Sequence, residues 1–145
     1  VAPWSRSGRL SMGDVVEQGL HDAELIGVEV DRVGEFAKLT LRLEGGDRRQ
    51  VELRGLKAFR GEDLALQNVV SRVLRSSRGE VSGDDLDRWL TWATSLSDSR
   101  SWLSEQRKTE WHSACTSGEL ELVVFEPSAG AQVVAICEGI DVRGT

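Results

Sequence analysis

After His21, apolar and polar positions alternate along the chain. In "ELIGVEVDR" Ile26, Val28 and Val30 fall on one face, with Glu29 and Asp31 opposite. "RVGE" punctuates, and in "AKLTLRLE" Leu39, Leu41 and Leu43 oppose Lys38, Thr40, Arg42 and Glu44. Beyond the turn signal "GGD", Val51 and Leu53 oppose Gln50, Glu52 and Arg54. Period-two runs bounded by Gly and Asp predict an antiparallel meander with one wet face.

The stretch from Gly55 to Glu80 reads two ways. Leu66, Val69, Val70, Val73 and Leu74 suit a helix face, but "NVVSRVL" is rich in β-branched residues and Asn68 would open a strand. The preferred reading is a strand over about residues 68–76, with "FRGEDL" as an irregular entrance to it. From Ser82 the period changes. Ser82 and Asp85 resemble a capping box, and Leu86, Trp89, Leu90, Ala93 and Leu96 follow on one helical face. "SDS" breaks the pattern. A second helix is expected from about Ser99 to Cys115, with Trp102, Leu103, Trp111, Ala114 and Cys115 inward and a glycine ending it in "TSG". Four of the five Trp lie in this pair. Their expected role is packing area against the sheet, and an aromatic ligand box is the sharper alternative.

The chain closes on a second hairpin, "ELELVVFEPSAGAQVVAIC", turning at "PSAG". "AQVVAIC" is apolar on both faces, as a doubly covered strand would be. The predicted fold class is therefore α+β. An antiparallel sheet of about five or six strands carries a helical pair on one face, inserted before the C-terminal β-hairpin. Residues 1–18 read as an N-terminal extension, docking at most through Trp4, ahead of a single domain over 19–145.

Composition adds limits to this picture. A chain of 145 residues fits one domain, which typically buries ~68–70% of its unfolded surface. No apolar run approaches the ~20 residues of a membrane helix, and no apolar signal core precedes Met12. Cys115 and Cys137 lack metal-ligand spacing. They are expected to be buried thiols in a reducing, cytoplasmic setting, with a disulfide between them as the open alternative.

The net charge is −6, and it is unevenly placed. Residues 109–145 hold six acids (Glu110, Glu119, Glu121, Glu126, Glu138, Asp141) against Arg143 alone. That argues against nucleic acid as a partner and is compatible with a basic protein.

Little in the chain carries chemistry. "LEGGDRRQ" lies between strands and is a hairpin turn, not a phosphate loop. Ser128 in "EPSAG" precedes a strand, unlike a nucleophile turn. No cofactor or metal motif is present. His21 and Asp22 are the best reactive candidates, but neighbours on a strand point to opposite sides and would not form a dyad; at a strand entrance Asp22 is expected instead to cap a turn and His21 to bond a backbone group. A small-ligand or enzymatic site between the sheet and the helical pair would combine His21, Asp22, Asn68 and Arg72, with Arg72 expected to pair with Glu52 or Asp22. Arg72, Arg75 and Arg78 would stripe a helix, a weak nucleic-acid footprint beside Glu80.

The succession "LHDAEL", "QNVVSRVL", "PSAGAQVVAIC" resembles a loose group of small bacterial proteins, some classed as immunity proteins that neutralise the toxins of polymorphic toxin systems. The resemblance spans most of residues 19–142 and brings no catalytic residues with it. The helical segment 82–116 departs from its simplest form. It implies a non-enzymatic inhibitor of another protein. On that expectation Glu119, Glu121 and Glu126 would contact a basic partner. Two alternatives are the ligand or enzyme site named above, and an oligomerisation domain marked by an exposed apolar patch and a homodimer.

Overall fold

The computed structural model describes residues 19–96 and 100–144. Residues 1–18, with Trp4, and Ser99 at the expected start of the second helix lie outside the described residues. Eight strands form one antiparallel sheet: β1 (Glu24–Asp31), β2 (Phe36–Arg42), β3 (Arg48–Arg54), β4 (Ala58–Glu62), β5 (Val69–Arg75), β6 (Glu121–Ala129), β7 (Gln132–Cys137) and β8 (Gly139–Gly144). Two helices, α1 (Gly83–Ala93) and α2 (Glu105–Ser117), stand between β5 and β6. The class is α+β, with more strands than the expected five or six.

The two strands missed are continuations. β4 follows β3 through the bend at Gly55, whose φ is +59°, and β8 follows β7 past Glu138. β3 pairs with β8 while β4 pairs with β7. Two long bent strands thus run side by side, held across the bend by bonds from Lys57 N–H to Ile136 O and from Glu138 N–H to Arg54 O. β4 was illegible because Arg60 takes a position facing the helices. Its guanidinium lies 4.2 Å over the Trp92 ring and donates to Trp92 O.

The pairings close into a ring: β1–β2–β3/β4–β7/β8–β6–β5 and back to β1. The last seam is short. β5 meets β1 in register only at Glu24 and Val69. Inside the ring lies one core, with Leu25, Leu39, Leu41, Val51, Leu53, Val123, Phe125 and Val133 among its residues. A second core lies outside, where Leu86, Leu90 and Ala93 of α1 and Cys115 of α2 cover Ala58, Leu122, Val124, Val134 and Ile136. β6 and β7 are therefore buried on both faces, which is why their sequence is apolar without alternation.

Helix ends differ from expectation in detail. Ser82 is the N-cap of α1 but makes no side-chain cap bond, so the capping box is not formed. α1 stops at Ala93 and Leu96 is exposed. The Thr94 hydroxyl bonds back to Leu90 O, and Ser95 bridges to Ser101. α2 starts at Glu105, not near 99, because Ser104 accepts from Arg107 N–H at 3.1 Å and caps it there. Gly118, at φ +90°, ends it in the left-handed position.

Candidate functional site

The three motif pieces that carried the family resemblance meet at the ring seam. Residues 19–22 form a turn, not a strand, and Asp22 takes the left-handed φ of 65°. Asp tolerates that region better than most residues. The turn closes with Ala23 N–H on Leu20 O and joins β5 through Asp22 N–H on Val70 O. His21 Nδ1 bonds Ser71 O. Because strand alternation does not apply, His21 Nε2 comes within 3.4 Å of Asp22 Oδ2. This corrects the expectation that the two side chains diverge. Both are more than half exposed.

Asn68 is spent on structure. Its Oδ1 accepts from Ala65 N–H at 2.9 Å and Ala131 N–H at 3.0 Å, and its Nδ2 donates to Ala65 O at 2.7 Å. Gly130 turns over it with φ +75°, and a Cβ there would stand 2.4 Å from Asn68 Oδ1. "HD", "QN" and "SAGA" are thus parts of one clip that fastens β1, β5 and the β6–β7 turn. Arg72 pairs with Glu126 at 2.6 Å, not with Glu52 or Asp22; Glu52 holds Arg143 at 3.0 Å. The Glu126 carboxylate, by its hydrogen bond and then its charge, raises the Arg72 pKa further above its usual value. The four candidate ligand residues therefore do not converge: only His21 and Asp22 touch, and Asn68 and Arg72 are each held elsewhere.

The acidic candidates separate in the same way. Glu126 is taken by Arg72. Glu121 lies in the interior, its side chain 8% exposed, bonded to Arg75 Nη2 at 2.6 Å and Ser77 N–H at 2.9 Å. Burial pushes its carboxyl up, but the bonds from Arg75 and Ser77 and the Arg75 charge outweigh this and hold it below the usual carboxylate range. It offers no surface to a partner. Glu119 remains exposed at the start of the final hairpin.

Glu119 has company that sequence spacing could not show. With Glu110 of α2 and Glu138 of the β7–β8 link it rims a shallow groove of about 400 Å³, floored by Trp111, Ala114 and Leu120 and crossed by Lys57. Lys57 pairs with Glu138 at 3.4 Å. Trp102, expected inward, is 57% exposed and stands edge-on to Trp111, ring centres 6.2 Å apart. Trp89, Trp92 and Trp111 do pack on the outer core. A second groove, lined by Val30, Leu56, Phe59 and Trp102, adjoins Lys57. Lys57 thus lines both grooves, and Trp102 joins them through its contact with Trp111.

A further His–Asp contact, His112 Nδ1 to Asp87 Oδ1 at 2.6 Å, ties α2 to α1. Lys108 reaches Thr91 beside it. Among the described residues no group of three or more His, Cys, Asp or Glu could hold a metal ion, and no helix is long and apolar enough to cross a membrane. Cys115 and Cys137 are buried free thiols. Desolvation, reinforced by the Glu121 charge, raises them to about 11 and about 12. Against family models, curated proteins and solved structures, the chain has no match.

Proposed function

We propose that this chain is a non-enzymatic protein-binding module of immunity or inhibitor type, and that it engages a basic surface of its partner through the groove around Trp111. One observation carries the reading. Glu110 of α2, Glu119 of the α2–β6 link and Glu138 of the β7–β8 link rim an apolar floor beside a half-exposed Trp102. Interfaces commonly anchor on exposed aromatics within a polar rim. Carboxylates in that rim would steer a cationic partner. The resemblance in "LHDAEL", "QNVV" and "PSAGA" points the same way, although those residues themselves serve the seam.

The test is capture of proteins from a lysate at low salt by the full chain, Glu110→Lys/Glu119→Lys, and Trp102→Ala. A basic protein retained by the unsubstituted chain and lost from both variants supports the groove. Equal retention by all three, or retention of no protein, overturns it.

A further inference from the structure

The ring closes poorly in one place. Leu25 N–H donates to Asn68 O and Val70 N–H to Ala23 O, and beyond that point no described strand pairs with β1 on its β5 side. The backbone orientation above the seam follows from the ladders. Leu43 N–H donates to Asp47 O. In the β2–β3 register, Ala37, Leu39 and Leu41 must then point their backbone groups to β3. Phe36, Lys38 and Thr40 consequently bond β1 through Asp31, Glu29 and Gly27. The extra residue at the Leu25–Gly27 bulge leaves the amides and carbonyls of Val28 and Val30 aimed at the open side.

The side chains tell the same story. Val28 and Val30 stand opposite Leu39 and Ala37 and so share the core face, yet they are 42% and 50% exposed. Across the opening lie exposed Leu64 and Leu66. With Ile26 and Val28 they line a groove of about 560 Å³. An unpaired strand edge beside uncovered apolar side chains is a template for another strand. The surroundings select its charge. Residues 22–35 carry five acids (Asp22, Glu24, Glu29, Asp31, Glu35) and one base, Arg32. Arg42 pairs with Glu24, and Lys38 stands opposite Glu29. Asp22 meets His21, and Asp31 Oδ1 accepts from the Val33 and Gly34 amides, bonds that leave both carboxylates their charge, and Glu35 is exposed beside them.

We propose that the open edge of β1 accepts an extended segment of the partner protein, alternating apolar residues with Lys or Arg, as an added antiparallel strand. Its apolar residues would cover Val28 and Val30, and its cations would lie among the carboxylates. The inference rests on the basic-partner reading and gives that partner a second point of attachment.

The probe is the capped heptapeptide Lys-Val-Lys-Val-Lys-Val-Lys, added to the full chain and followed by residue-resolved amide hydrogen exchange. Saturating peptide should slow exchange at Val28 and Val30 by about tenfold or more. The same peptide with alternate backbone nitrogens methylated, or with Glu for Lys, should not. Val28→Lys/Val30→Lys should abolish the effect and leave the protection of Leu39 and Leu53 unchanged. Several outcomes would sink the idea: no slowing at Val28 and Val30, equal slowing by the Glu peptide, or an edge already protected in the free chain by a second copy or by the chain itself. Glu110→Lys/Glu119→Lys separates the two readings. Edge protection that survives in this variant, while the captured protein is lost, upholds both. Capture through the groove without edge protection overturns this inference alone.

Discussion

Removing the Glu121 carboxylate should destabilise the protein severely, although it is one of the acids the sequence marks as a surface contact. In Glu121→Ala the Arg75 guanidinium, only 16% exposed, loses its buried counter-charge, and Ser77 N–H loses its acceptor. Breaking one side of a buried, hydrogen-bonded pair costs ~3–5 kcal/mol. At about 2–4 °C per kcal/mol for a chain near this size, the melting temperature should fall by roughly 6–20 °C. The pH dependence has a definite sign. Glu121 is held below its usual range in the folded state, while the unfolded chain titrates near about 4.3. Its contribution is therefore present above that value and is lost as pH falls through the folded value. Urea unfolding at pH 7 and at successively lower pH measures both effects, and Glu121→Gln should flatten the acid limb. A double-mutant cycle with Arg75→Met isolates the pair. A loss under about 1 kcal/mol for Glu121→Ala, or strict additivity with Arg75→Met, would refute the reasoning.

Three further outcomes follow from the packing. Asn68→Ala strands the buried Ala131 N–H and should cost about 1–3 kcal/mol or more in urea unfolding. Leu90→Ala opens a cavity under α1 where Leu90 is fully buried and should cost ~2–5 kcal/mol. Cys115 and Cys137, with thiols raised to about 11 and about 12, should resist a thiol reagent at pH 8 in the folded protein and react promptly in denaturant. Fast labelling without denaturant would contradict their burial.

The sequence by itself determined the elements whose side chains repeat with a regular period and whose neighbours are local. β1 to β3 are legible because each hairpin partner lies within a few residues, and α1 because Leu86, Leu90 and Ala93 keep the helical spacing that their burial requires. The doubly apolar β7 announced that something would cover both faces, and the helical pair does, whereas β6 shares that burial although Glu119 and Glu121 gave it the look of an alternating strand. The tertiary structure decided the rest, through contacts between residues far apart in the chain. β4 is a strand because β7 offers it a ladder, and Arg60 is tolerated there because Trp92 receives it. Glu121 is interior because Arg75, 46 residues away, neutralises it. Asn68 is a clip because Ala131, 63 residues on, needs an acceptor. Trp102 was read inward from helical spacing, but α2 begins only after it, so no helix face carries it to the core. Val28 and Val30 obey the alternation and still lie uncovered, while the bulge at Leu25–Gly27 puts Leu25 rather than Ile26 in the core. A period-two pattern states which face a side chain takes, and only the closure of the ring determines whether anything lies on the other side.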